Sequence, residues 1–138
     1  MRIQENTIQL EVPDGRSFRL KECETFETVR GNTPRDVDVI WQNEGDERLW
    51  LVELKDYGAL IPADPDLNYL KTNLTGKIRD TLYTLASVWA ESDFGQQLRD
   101  EIEDTFPDFP DTACPLRPVA VLNLEQEYVG LFGALMTS

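Results

Sequence analysis

The residues best placed to do chemistry are one aspartate and a Glu-x-Lys triplet, each set in an otherwise apolar run. Asp38 lies within Asp36-Val37-Asp38-Val39-Ile40-Trp41, and Glu53-Leu54-Lys55 closes the run Leu49-Trp50-Leu51-Val52. On a strand, side chains two apart leave on the same face, so Glu53 and Lys55 share a face and Leu54 takes the other. Charge in such surroundings is expensive unless it is paired or bound to metal. In a hairpin of these lengths Asp38 lies beside Glu53, and a divalent cation relieves the repulsion between two neighbouring carboxylates. The chain contains no histidine. That excludes Ser-His-Asp and Cys-His catalysis and histidine-held zinc or iron. Any ion here is held by oxygen, which selects Mg²⁺, Mn²⁺ or Ca²⁺. There is no Walker A or dinucleotide glycine pattern to support nucleotide binding by those routes.

The elements that must position these residues follow from periodicity and turn chemistry. Thr7 to Leu20 reads as a β-hairpin around Pro13-Asp14-Gly15. Residues 22–35 fit a short helix or a strand, ended by Gly31-Asn32-Thr33-Pro34. Strands are expected at 36–41 and 49–55, joined by the polar loop 42–48 as an antiparallel hairpin. The second is apolar enough to be a central strand buried on both faces. Asp64-Pro65 is a helix start, and Leu67, Leu70, Leu74, Ile78, Leu82, Leu85 and Trp89 carry a long amphipathic helix to about Ala90. A second helix is expected over 93–105 and a buried strand over 118–124. Residues 128–136 fit a last strand or a short helix. The order predicts one α/β (α+β) domain over 1–138, a mixed central β-sheet flanked by helices.

An aspartate on one strand followed by Glu-x-Lys late in the next resembles the PD-(D/E)XK nuclease superfamily. The resemblance covers roughly residues 22–90, with the strand at 118–124 compatible. It implies a restriction-endonuclease-like fold and Mg²⁺- or Mn²⁺-dependent hydrolysis of phosphodiester bonds, in DNA rather than RNA. Asp38 and Glu53 would then be metal ligands with the Leu54 carbonyl as a third, and Asp36 the fallback. Lys55 would orient or activate the attacking water. A bound metal lowers the pKa of water and polarises the phosphoryl oxygen. The family's acid on a preceding helix has candidates in Glu22, Glu24 and Glu27, with Glu27 preferred. Lys71 interrupts the apolar stripe of the long helix, within about 40° of Leu67, Ile78, Leu82, Leu85 and Trp89. It is either a snorkelling lysine or one directed at the acid cluster. Lys77 and Arg79 flank that stripe and are expected to face solvent.

Composition bounds the reading. The chain has 138 residues, 41% of them hydrophobic, and a formal net charge of −13. Phosphate contacts need Lys and Arg, so this acidity opposes a nucleic-acid enzyme. It is uneven: residues 91–111 carry eight acids against Arg99 and contribute −7, leaving −6 elsewhere. That stretch reads as a solvated helix face or a docking surface for a basic protein. The competing functions are a catalytically degenerate member of the same fold acting as an acidic protein-binding module, and a small acidic antitoxin or immunity-type protein of unrelated fold. Cys23 and Cys114 read as free thiols. The tryptophans Trp41, Trp50 and Trp89 read as core rather than base-stacking plates. The N-terminus has no apolar secretory segment and no run approaches a membrane span, so the expectation is cytoplasmic with no membrane partner. A homodimer is compatible with the size, although no interface is readable.

Overall fold

The computed structural model describes residues 1–30, 35–56 and 67–123. The expected helix start at Asp64-Pro65, the stop at 31–34 and the C-terminal element at 128–136 lie outside them. The strands are β1 (Arg2–Glu5), β2 (Ile8–Glu11), β3 (Ser17–Phe18), β4 (Val39–Asn43), β5 (Arg48–Asp56) and β6 (Leu116–Asn123). The helices are α1 (Glu24–Arg30), α2 (Leu67–Trp89) and α3 (Asp93–Thr105), and a 3-10 turn spans Leu20–Glu22. One sheet has the order β3-β4-β5-β6, and β1 and β2 form a separate two-stranded ribbon. β3, β4 and β5 run antiparallel in turn, and β6 lies parallel to β5. Parallel neighbours need a long crossover, and α2 and α3 supply it. This is the mixed α/β architecture expected.

β5 is central because both of its faces are apolar. Leu49 and Leu51 face a core with Phe18, Ile40, Leu85, Val88, Leu98, Ile102 and Phe106. Val52 and Leu54 face a second core with Val39, Ile3 and Val12. The sheet therefore lies between the helices and the N-terminal ribbon. Each large apolar side chain fully withdrawn from water contributes roughly 2 kcal/mol.

The N-terminal hairpin differs from expectation. β2 pairs backward with β1, Ile3 opposite Leu10, rather than forward across Pro13-Asp14-Gly15. Asn6, at φ 50°, makes the turn, and asparagine tolerates that left-handed conformation better than most residues. Ser17 and Phe18 join the main sheet opposite Trp41 and Ile40. Pro13-Asp14-Gly15 thus passes the chain from ribbon to sheet. Alternation alone does not say which neighbour a strand takes.

Within the ambiguous segment, Glu24–Arg30 is helical. Its first turn is secured from outside, because Glu101 on α3 accepts from the Thr25 N–H at 3.0 Å. α3 itself begins at Ser92, whose hydroxyl accepts from the Gly95 N–H at 3.0 Å. Gly95 lies where α3 folds back on α2: a Cβ there would lie 1.9 Å from the Ser87 carbonyl oxygen. Backbone cannot swing aside as a side chain can. Gly95→Ala is therefore expected to lower stability by about 2 kcal/mol, read as a lower urea midpoint. An unchanged midpoint would show that the two helices are not held this closely.

The cysteines are unpaired, Cys23 buried and Cys114 half-buried. Burial, with Glu101 and Glu22 nearby, pushes the Cys23 thiol up to about 11. Such a thiol is a packing group rather than a nucleophile.

Candidate functional site

The hairpin register places the acid pair. Val39 lies opposite Val52, so the next pair outward is Asp38 and Glu53, on the sheet face that meets α2. The two are laced together through the main chain. The Asp38 N–H donates to Glu53 Oε2 at 3.2 Å, and the Leu54 N–H donates to Asp38 Oδ2 at 2.7 Å. Arg19 Nε donates to the Asp38 carbonyl at 2.9 Å and fixes the strand entry from the other side. N–H and C=O of one strand residue leave on the same side, so the Leu54 carbonyl also leaves toward the Asp38 end of β4. Leu54's side chain is buried under the ribbon.

Glu53 is 1% exposed. Lys77 on α2 donates a hydrogen bond to its Oε1, and Lys55 Nζ lies 3.7 Å from the same oxygen. Burial pushes the Glu53 carboxyl up to about 6; the Lys77 hydrogen bond opposes that rise and the Asp38 charge adds to it. The environment thus disfavours the ionised form even with two ammonium groups present.

Two site residues were not anticipated. Lys77 was expected in solvent and instead meets Glu53, so it takes the place considered for Lys71. Among the described residues, the buried side chains of α2 are Leu70, Leu74, Thr81, Thr84, Leu85 and Val88, and they centre away from the stripe through Ile78, Leu82 and Trp89, which are only half-buried. About that true centre Lys71 and Lys77 fall on opposite flanks, roughly 120° apart. Only the Lys77 flank turns to Glu53. Lys71 is half-buried on the other one.

The second is Glu5, at the end of β1. Its Oε1 lies 3.8 Å from Lys55 Nζ, so Lys55 stands between Glu5 and Glu53. Its Oε2 is sealed from solvent with no hydrogen-bond partner among the described residues. The ribbon is pinned there by Asp56, the residue after Lys55. Asp56 is 4% exposed and accepts from the Thr7 N–H at 2.8 Å, the Thr7 hydroxyl, and Asn123 Nδ2 at 2.9 Å. An acid following Glu-x-Lys on a buried strand was the one available signal.

Two expectations change. Asp36 does not share a strand face with Asp38, because β4 starts only at Val39. The segment before it bonds to α2 instead: the Arg35 N–H donates to Asp80 and the Val37 N–H to the Thr81 hydroxyl, both at 3.1 Å. Glu27 does lie on a helix before β4, but it is exposed. Among the described residues no group of three or more acidic or cysteine side chains is arranged to hold an ion.

No protein-family model, curated protein or solved structure matches this chain. The site has to be read from its own donors. Two carboxylates and a main-chain carbonyl suit a hard cation, and Mg²⁺ commonly takes one or two carboxylates, with water and substrate phosphate completing its shell. The orphaned Glu5 Oε2 beside Lys55 is a further acceptor at the same strand end. These are oxygen donors, the type a hard cation would require, and Asp38, Glu53 and the Leu54 carbonyl are the groups that would hold one.

The tryptophans lie apart from this cluster. Trp41 and Trp50 are cross-strand partners, with ring centroids 5.3 Å apart. Arg117 stacks on Trp50 at 5.1 Å, and Asp46 accepts from both the indole and the guanidinium. Trp89 stacks on Phe109 at the helical core. In the acidic segment, Glu101 secures α1 and Glu103 pairs with Arg99 at 2.8 Å. Glu91, Asp93, Asp100, Asp104, Asp108 and Asp111 are exposed. No helix among the described residues is long and apolar enough to cross a membrane.

Proposed function

We propose that this chain is a metal-dependent nuclease of restriction-endonuclease-like type, hydrolysing the phosphodiester backbone of DNA in preference to RNA. The observation that carries the reading is the main-chain lacing of Asp38, at the entry to β4, with Glu53 and Leu54 of β5, and Lys55 3.7 Å from Glu53. Bound Mg²⁺ or Mn²⁺ would supply Lewis acidity and a more acidic water. Asp38, Glu53 and the Leu54 carbonyl are the groups that would hold it. Lys55, held between two carboxylates, orients the attacking water and offsets the charge that grows on the phosphate. Lys77 offsets the charge of Glu53 and so lets a carboxylate be buried there.

Metal binding is the direct test. Mg²⁺ or Mn²⁺ at about ten times its dissociation constant is expected to raise the melting temperature by roughly 5 °C. The ion needs ionised Glu53, so the gain should be larger at pH 7.5 than at pH 5, below the carboxyl's value of about 6. Asp38→Asn should remove it. A melting temperature indifferent to both ions at both pH values would refute the metal site.

The second reading is a non-catalytic, acidic protein-binding module of the same architecture. It is favoured by the internal satisfaction of Glu53, by the lack of a third converging acid among the described residues, and by the exposed acids of 91–111. It predicts metal indifference together with salt-sensitive binding of a basic protein.

A further inference from the structure

α2 has a second unusual flank. Tyr69 and Tyr83 are 67% and 69% exposed, and they are the exposed large hydrophobic side chains among the described residues. They lie fourteen positions apart with Gly76 midway. Seven residues are nearly two turns, so the three positions lie within about 40° of one another along roughly 21 Å of helix. Gly76 is there to make room. A Cβ at that position would lie 2.0 Å from an Arg35 guanidinium nitrogen. Arg35 therefore lays its guanidinium across α2 midway between the two rings. Asp80, one turn on, holds it there at 3.2 Å and also holds Arg79 at 3.0 Å. One carboxylate is thus shared by two guanidiniums, and both remain open to solvent, with side chains 40% and 56% exposed.

We propose that this flank, Tyr69–Arg35–Tyr83 with Arg79 beside it, is a binding track for single-stranded nucleic acid. Aromatic plates alternating with guanidiniums are what such strands need: bases stack on the rings and phosphates meet the cations. The charge is complementary. Arg35 and Arg79 are two guanidiniums against the single carboxylate of Asp80, a locally positive strip in a chain whose formal net charge is −13. Lys77 follows Gly76 directly, about 100° round the helix, and reaches Glu53. The track thus shares α2 with the lysine that holds Glu53, on a different face of the helix. This rests on the nuclease reading for its purpose, but not for its test.

The experiment is fluorescence anisotropy with labelled oligo(dT) and oligo(U) of about 15 nucleotides, longer than most single-module sites, in EDTA so that no cleavage occurs. Stacking contributes about tenfold per base plate, so Tyr69→Ala with Tyr83→Ala should weaken binding roughly 100-fold. Tyr69→Phe with Tyr83→Phe should bind like the wild type. Arg35→Met should weaken binding and reduce the salt slope by about one. Arg35→Lys, which keeps the charge, should restore the slope. Both tyrosines are on the surface, so an unchanged melting temperature shows that the variants are folded. Tyrosine-dependent binding of either oligonucleotide supports the track, and it does so even if the protein never cleaves, in which case the nuclease reading alone fails. Wild-type protein that binds neither strand, or alanine variants that bind as tightly as wild type, would overturn it. Metal-dependent cleavage with an unchanged KM in the alanine variant would also overturn the track while leaving the nuclease reading standing.

Discussion

Replacing Lys77 by methionine is expected to destabilise the protein by about 3 kcal/mol at pH 8, because it strips the nearest cation from a buried carboxylate. Glu53 is 1% exposed and its carboxyl is already raised to about 6 from the ordinary 4.5. The sign follows from that direction. The folded state holds the Glu53 proton more tightly than the unfolded state, so this group's contribution is fully present below pH 4.5. It is lost as pH rises through 6, and ionised Glu53 costs about 2 kcal/mol above that. Three results should follow in urea denaturation. Glu53→Gln should stabilise the protein at pH 8 by up to about that amount and change little at pH 4. Lys77→Met should be much less damaging at pH 5 than at pH 8, since a protonated Glu53 needs no cation. The double variant should recover most of what Lys77→Met loses, since no charge remains to be buried. A Lys77→Met penalty that is equal at both pH values would show that the lysine acts through its packing and not through Glu53.

The second large effect is on hydrolysis. Lys55→Ala is expected to lower Mg²⁺-dependent cleavage by roughly 10²–10³-fold, the scale of removing one preorganised charge from a reacting centre. Asp38→Asn and Glu53→Gln should do at least as much, by removing metal ligands. Lys55→Arg should not restore the rate, because a planar fork does not replace a compact ammonium held between two carboxylates. Single-turnover assays with labelled single- and double-stranded DNA in Mg²⁺, Mn²⁺ and EDTA measure this. Glu53→Gln is the informative variant, since it should gain stability while losing activity, the signature of a group kept for function at a structural cost. Wild-type protein inactive in every metal, with Lys55→Ala indistinguishable from it, would leave the non-catalytic reading in possession.

Much of this was legible from residue order alone. The apolar runs with Asp38 and Glu53-Leu54-Lys55 embedded in them specified two neighbouring strands and which residues share a face, because the two-residue period of a strand is local. The spacing of Leu67, Leu70, Leu74, Ile78, Leu82, Leu85 and Trp89 specified the long helix for the same reason, since its period is also local. Tertiary structure alone decided the rest. β2 could pair forward or backward, and only the packing of Ile3 and Val12 against Val39, Val52 and Leu54 selects the ribbon. Lys71 and Lys77 both border an apolar stripe, and which one reaches Glu53 depends on how α2 is rotated against the sheet. Glu5 is far from Lys55 in sequence, and no period connects them; Asp56 holding Thr7 brings them together. What lies within one element is written in its periodicity. The Asp38–Glu53 pair is encoded in that way, while the lysine and the glutamate that complete its surroundings arrive from elements whose docking no local pattern encodes.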